Sequence, residues 1–287
     1  MPTEATAMPT HPIQPASHPA LRGLIAAALV TFGLSATAQQ PPVKQLAPVT
    51  ISAQANRDPV EKSYRKMVRG MDLFERQRSL SPQGVLRFKL LPRKPDTSLA
   101  NLDLLVLSER VELPVPIAAD QTFTLPRNAQ ALADNALVTP NRKFLTMTWR
   151  TDIRSPGLPP STRRLGDLRL ECQVGMEAGL ISNSSTLVGR LTSAVVDTPA
   201  YCERLAPQYL FFADQPLFSV ALVSGSRREV LALDKLYAGA SDDPNLPGDL
   251  PYCDCEVLLD RTYVLPLGDR SWPDDTLVEF EFMEDTP

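Results

Sequence analysis

Short segments that alternate between apolar and polar residues, separated from one another by prolines, run through the sequence from Gly84 onward. The chain has 28 prolines against 13 glycines, and proline is disfavoured inside helices and central strands. Residues 85–90 (VLRFKL) alternate apolar and basic side chains, which is typical of a half-buried strand. Residues 102–107 are predominantly apolar, which predicts a central strand. The pattern therefore predicts a mainly β chain.

Other segments carry the same signals. Two prolines confine residues 111–117 to a sheet edge or an irregular segment, and residues 224–228 (SGSRR) have the composition of a hairpin turn. One short helix is predicted at residues 129–135. The further strands lie at residues 122–125, 144–150, 168–174, 217–223, 230–236, 256–265 and 277–283. Short strands at this spacing favour β-sandwich-like subdomains with few short helices.

One longer, amphipathic helix is predicted near the N-terminus, at residues 58–78. Asp58 and Glu61 form a capping box, and Pro59 suits the first helical position. Six apolar residues recur on one face with a period near 3.6, namely Val60, Tyr64, Met67, Val68, Met71 and Phe74.

The opposite face of this helix carries a basic stripe, formed by Lys62, Arg65, Lys66 and Arg69. Such a stripe favours contact with an envelope protein partner or an anionic membrane surface. The alternative interpretation is a helix that packs on the body of the protein and leaves a solvated outer face.

The first 38 residues have the three parts of a secretory signal peptide. Arg22 precedes the weakly apolar run 24–34, and small residues follow at 35–38. The run is shorter than the roughly 20 residues that a membrane span needs, and no transmembrane span is predicted in the mature chain. We therefore expect export to the periplasm or secretion from a bacterial cell. Residues 39–57 then form a linker rich in proline and glutamine.

Both histidines, His11 and His18, lie in the predicted signal peptide. The mature chain would then contain no imidazole, which excludes a Ser-His-Asp triad, a Cys-His dyad and a zinc site with histidine ligands. No catalytic residue, metal site or cofactor is predicted, and the protein is expected not to be an enzyme. Ser63 and Lys66 match the S-x-x-K pattern of penicillin-binding proteins and β-lactamases, but K-T-G and S-D-N are absent.

Four cysteines remain in the mature chain, and an even number in an exported protein predicts disulfides. A bridge between Cys253 and Cys255 would close a small strained ring. We therefore expect Cys172 and Cys202 each to pair with one of Cys253 and Cys255. A soft-metal site at Cys253 and Cys255 is the alternative.

Paired carboxylates are the catalytic groups that do not require histidine. Residues 242–260 are acidic, with Asp242, Asp243, Asp249, Asp254, Glu256 and Asp260. Tyr237, Tyr252, Tyr263 and Trp272 lie nearby in sequence and would suit stacking on a sugar. A glycan-active enzyme that uses paired carboxylates of the C-terminal half is therefore the alternative function.

Charge divides along the chain. Residues 39–199 carry 22 basic and 15 acidic side chains, whereas residues 200–287 carry 6 and 17. The whole chain is acidic, with a net charge of -4, which argues against nucleic-acid binding. We predict an N-terminal helix with a β subdomain at 58–165 and a disulfide-linked β subdomain at 166–287. Together these features favour a non-enzymatic binding or scaffolding module of the cell envelope.

The leader supplies a direct prediction. If the chain is expressed with its full N-terminus in a bacterium, cleavage after Ala38 will leave Gln39 as the first residue of the exported protein. N-terminal sequencing and intact mass of the protein recovered from the periplasm or the medium will test this. Recovery of a chain that still starts at Met1 or Met8 would contradict it.

Overall fold

The computed structural model describes residues 61–93, 97–142, 146–180, 198–205, 207, 209–237 and 258–283. All of them belong to one unit, which spans Ile51–Pro287. The predicted signal peptide and linker lie outside the described residues, as do Cys253 and Cys255.

The described residues are mainly β. The helices are α1 (Tyr64–Arg76), α2 (Ala129–Ala133) and α3 (Leu165–Glu177), and none of these is long and apolar enough to cross a membrane. The strands are β1 (Lys62–Ser63), β2 (Val85–Pro92), β3 (Leu104–Leu107), β4 (Glu112–Pro114), β5 (Thr122–Phe123), β6 (Leu137–Pro140), β7 (Met147–Arg154), β8 (Thr162–Arg164), β9 (Phe211–Phe212), β10 (Leu217–Ser224), β11 (Arg227–Val230), β12 (Thr262–Tyr263) and β13 (Leu277–Phe282).

These strands form antiparallel sheets. Their orders are β1-β6-β3-β4, β5-β2-β7, β11-β10-β13-β8 and β12-β9. The predictions for β2, β3 and β13 are confirmed, and β4 lies at a sheet edge, which is one of the two places that its prolines allow. The predicted hairpin is also present, since β10 and β11 pair across Gly225 and Ser226.

The predicted start of the N-terminal helix at residue 58 is wrong. Lys62 and Ser63 are extended and pair with Val138 and Leu137 of β6. The Ser63 hydroxyl accepts a hydrogen bond from the backbone N–H of Lys66, so α1 begins at Tyr64 and Ser63 is its N-cap. A pairing with a strand some 75 residues away overrides the local capping signal.

Residues 168–174 were expected to form a strand but belong to α3. Leu168, Leu170, Cys172 and Val174 alternate with polar residues, which imitates a period of two. Every residue from Leu165 to Met176 is buried, however, so both sets of side chains face protein. The polar residues of this alternation therefore bind partners inside the protein and do not mark a solvent-exposed face.

Two other strands have different limits from those expected. The strand expected at 230–236 is instead Arg227–Val230, and a 3-10 turn follows at Leu233–Lys235. The strand expected at 144–150 lies at Met147–Arg154, because it pairs with the whole length of β2. Of residues 256–265, the described strand is β12.

The buried apolar residues form three clusters. The first joins the sheets β1-β6-β3-β4 and β5-β2-β7 with α1, around Phe88, Val106 and Trp149. The second joins α3 with the other two sheets, around Tyr263 and Trp272. The third consists of residues from α1, β7 and α3, namely Leu73, Phe74, Ile153, Leu170 and Val174. Helix α3 therefore contributes to two of the three clusters.

A disulfide joins Cys172 of α3 to Cys202 in the 3-10 turn Pro199–Glu203. The expected pairing of each of these cysteines with Cys253 or Cys255 is therefore wrong. The backbone explains the observed pair, since their Cα atoms lie 6.0 Å apart and both side chains are buried in the second cluster.

The pairing predicts how two double variants will behave. Cys172→Ala with Cys202→Ala releases a loop of 30 residues and should lower the free energy of unfolding by about 3–4 kcal/mol. Cys253→Ala with Cys255→Ala is the control and should retain the Cys172–Cys202 bond. Urea unfolding and non-reducing peptide mapping measure the two results. A Cys172 that becomes a free thiol in the control variant would contradict the pairing.

Candidate functional site

An open groove lies between the C-terminal half of α1 and the sheet β5-β2-β7. Its volume is about 310 Å³, at the lower end of the range for small-ligand pockets. We call it the α1 groove, and it is lined by Met71, Phe74, Glu75, Arg78, Gly84, Val85, Leu86, Phe88, Thr124, Leu125 and Arg127. Most of these side chains are apolar, so the groove offers apolar contact within a charged rim.

The α1 groove exists because β5 is much shorter than β2. The two residues of β5 pair with Phe88 and Lys89 only. The Leu90 N–H donates to the Gln121 carbonyl at 3.0 Å, so alternate residues of β2 direct their backbone groups towards β5. By this alternation the N–H and C=O of Leu86 face the groove. None of the described strands pairs with Leu86 on that side.

The rim of the α1 groove carries both signs of charge. Arg78 stacks over the Phe74 ring at 4.5 Å and donates to the Gly84 carbonyl at 2.5 Å. Arg127 forms an ion pair with Asp72 at 2.7 Å. These groups are partly exposed, so the ion pair contributes little to stability. Because their charges nearly cancel, the rim favours an uncharged occupant.

The four residues of the predicted basic stripe differ in exposure. Lys62 is buried in β1, and its Nζ lies 3.4 Å from the Leu180 carbonyl, to which it donates. Arg65 and Lys66 are exposed on α1. Arg69 is exposed but pairs with Glu177 of α3 at 3.2 Å. A surface contact through this stripe stays a prediction, and it would involve the three exposed residues.

The S-x-x-K pattern has a structural role in the described fold. The Ser63 hydroxyl accepts from the Lys66 backbone N–H at 3.4 Å, in the position of a helix cap. The Lys66 side chain is exposed and lies against Gly179.

The outer edge of β7 is covered by charged side chains instead of another strand. The Glu171 carboxylate accepts from the Ile153 N–H at 3.0 Å, and Arg163 donates to the Ile153 carbonyl at 2.7 Å. Arg163 and Glu171 also pair with each other at 2.6 Å. Both side chains are less than a tenth exposed. This ion pair therefore takes the place of a neighbouring strand at Ile153.

Asp167 repeats the arrangement one helical turn earlier. Its fully buried carboxylate accepts from the Ser155 N–H at 2.8 Å, the Ser155 hydroxyl at 2.9 Å and the Ser81 hydroxyl at 2.6 Å. Asp167 and Glu171 are one turn apart on α3, about 5–6 Å. Ile153 lies in β7 and Ser155 just after its end, and two residues of extended chain span about 6.6 Å. The helix repeat and the strand repeat therefore nearly match.

Burial and nearby positive charge shift the pKa values of the carboxyl groups near β7 in opposite directions. Burial raises the pKa of Glu171 above its ordinary value, although the nearby positive charge of Arg163 opposes the rise. Burial alone would also raise the pKa of Asp214, but the positive charges of Arg154 and Lys89 hold that pKa below its ordinary value. Arg154 and Lys89 lie 2.9 and 2.7 Å from the Asp214 carboxylate. Both acids are bound in ion pairs of the fold.

The residues proposed for glycan chemistry are only partly described. Asp260 lies in the 3-10 turn Leu259–Arg261, and the other five carboxylates lie outside the described residues. Tyr263 and Trp272 are buried in the second apolar cluster. The Tyr237 hydroxyl donates to the Leu217 carbonyl at 2.6 Å, and Tyr252 lies outside the described residues.

Within the described ranges, no group of three or more His, Cys, Asp or Glu side chains has the arrangement of a metal site. The alternative of a soft-metal site at Cys253 and Cys255 falls outside those ranges.

Comparison with known proteins gave no matching family model, no matching curated protein and no matching solved structure.

The sequence patterns did not indicate the α1 groove. They predicted β2 and the segment around Thr122 and Phe123 as strands, but not that β5 pairs with only two residues. Pro126 is a local signal that the segment cannot continue along β2, since proline removes a ladder donor. Recognising the open edge would also have required knowing that β5 is the neighbour of β2.

The ion pair at the β7 edge predicts how much stability is lost when Glu171 is replaced. Glu171→Leu should lower the free energy of unfolding by about 3–5 kcal/mol, because it leaves Arg163 buried without its counter-charge. Glu229→Gln is the control, since Glu229 and its partner Arg227 are 55% and 45% exposed and exposed pairs contribute about 0–1 kcal/mol. Urea unfolding at neutral pH measures both. Equal losses in the two variants would contradict the structural role of Glu171.

Proposed function

We propose that this chain is an exported, non-enzymatic binding module of a bacterial cell envelope. Its α1 groove would take an extended apolar segment of a partner protein. The observation that carries the proposal is the part of β2 around Leu86, where no described strand pairs on the groove side. An open strand edge beside an apolar groove is the geometry that binds peptides by strand addition.

The occupant would pair with Leu86 through its own backbone. Alternate side chains of an extended segment point to one face, so every second side chain would enter the groove. There it would contact Phe74, Met71 and Leu86, whereas the backbone bonds would be independent of sequence. Apolar side chains fit best, because the rim charges are already balanced by Asp72 and Glu75.

The architecture supports a rigid scaffold for such a site. The two sheets that include β2 and β3 share one apolar cluster with α1, which is consistent with the sandwich-like arrangement that we propose for this part of the chain. The predicted leader and linker support location in the periplasm or outside the cell, with the module held by its partner.

Binding of displayed peptides to the full chain tests the proposal. Peptides selected from a random library should be extended and apolar at alternate positions. They should bind Val85→Glu at least about tenfold more weakly, because a carboxylate would have to be desolvated in the groove. Val230→Glu is the matched control, since Val85 and Val230 are strand residues that are 54% and 57% exposed.

Methylated peptides separate backbone pairing from simple apolar contact. N-methylation at positions that pair with Leu86 should abolish binding, whereas methylation at the intervening positions should be tolerated. Selected peptides that bind Val85→Glu as tightly as the original protein would overturn the α1 groove as the binding site. Tolerance of every N-methyl group would overturn strand addition.

A further inference from the structure

A second surface lies at the N-terminal end of α1, and its residues were only partly expected from the sequence. It consists of the exposed cations Arg65, Lys66 and Arg69 together with the exposed leucines Leu132 and Leu137. We call it the α1 basic patch. Because it uses other residues than the α1 groove, it does not depend on the function proposed for that groove.

Backbone contacts bring the members of the patch together. The Arg65 guanidinium donates to the Leu132 carbonyl at 3.0 Å, which places it against α2. Leu137 pairs with Ser63, the residue that caps α1. Arg65 and Arg69 are four residues apart and therefore neighbours on the helix surface. Three elements of the fold thus converge on this corner of the molecule.

The cations of the α1 basic patch are less compensated than those elsewhere on the same side. Arg127 and Arg110 each pair with an aspartate, Asp72 and Asp134 respectively. In contrast, Arg65 and Lys66 have no carboxylate partner among the described residues, and only Arg69 has one, Glu177. The patch therefore presents a net positive charge that an external anion would complement.

The leucines give the patch a second chemical character. Leu132 and Leu137 are 36% and 39% exposed, and they lie beside the cations of the patch. Cations beside exposed apolar side chains are the combination that binds the headgroup region of an anionic bilayer. The anionic bilayer attracts Lys and Arg electrostatically, and its headgroup region shelters the leucine methyl groups from water.

We infer that the α1 basic patch docks on an anionic lipid surface. The acidic residues of the chain are concentrated in another part of the sequence, since residues 200–287 carry 17 acidic and only 6 basic side chains. Anionic lipid would attract Arg65 and Lys66 and would repel those carboxylates. An acidic protein would satisfy the cations as well, and the test below distinguishes that partner from lipid.

Flotation of the full chain with lipid vesicles tests the inference. The protein should bind vesicles that contain phosphatidylglycerol and should not bind vesicles of phosphatidylcholine alone, and added salt should weaken binding. Arg65→Gln with Lys66→Gln should weaken binding by about 25-fold, because each basic residue near an anionic surface contributes about fivefold. Leu132→Ser should weaken binding further while leaving the salt dependence unchanged.

Controls separate the patch from net charge and from folding. Lys235→Gln with Arg270→Gln removes the same charge from other surfaces and should bind like the original protein. All variants should melt at the temperature of the original chain. Equal binding to the two vesicle types, or equal losses in the two double variants, would overturn the inference. So would absence of vesicle binding, and capture of an acidic protein through Arg65 and Lys66 would then identify a protein partner instead.

Discussion

The described fold depends on how the outer edge of β7 is satisfied. A strand edge without a neighbour leaves backbone groups that must find partners when they are buried. Here Glu171 accepts a hydrogen bond from the Ile153 N–H, and Arg163 donates one to the Ile153 carbonyl. The charges of Glu171 and Arg163 also neutralise each other. Two buried charges are costly, but their mutual attraction and several hydrogen bonds offset that cost. The same contact connects the sheet β5-β2-β7 to β8, which belongs to another sheet.

The opposite side of that sheet is treated differently. The outer edge of β7 is covered near Ile153 by side chains of α3 and by Arg163 of β8, whereas β2 loses its neighbour where β5 ends after two residues. The β7 edge thus holds the sheet to α3 and β8, whereas the β2 edge leaves backbone groups available to a partner. Exposed edges invite unwanted association, and the partial cover by Arg78 and Phe74 limits the open stretch to the neighbourhood of Leu86.

The sequence patterns predicted correctly those elements whose signals are local. β2 and β13 alternate visibly, and the turn at Gly225 has the positive φ that glycine permits. α3 was missed because Arg169, Glu171 and Gln173 are buried with distant partners, so their polarity did not mark a solvent face. The start of α1 and the partner of Cys172 also depend on remote segments. The α1 groove was missed for the same reason, since its opening depends on which strand lies beside β2.

Arg169 binds groups that are synthesised much later than Arg169 itself. Its guanidinium donates to the carbonyls of Leu267, Asp269 and Trp272, and it pairs with Asp274, all roughly 100 residues later in the chain. During synthesis α3 emerges long before these acceptors exist. The Arg169 guanidinium therefore gains these acceptors only when nearly all of the polypeptide has been made, whereas Leu170 and Val174 of the same helix pack against α1 and β7, which precede it in the chain. A chain that stops before Leu267 lacks all of these acceptors, so its Arg169 would have to stay in water or be buried without them.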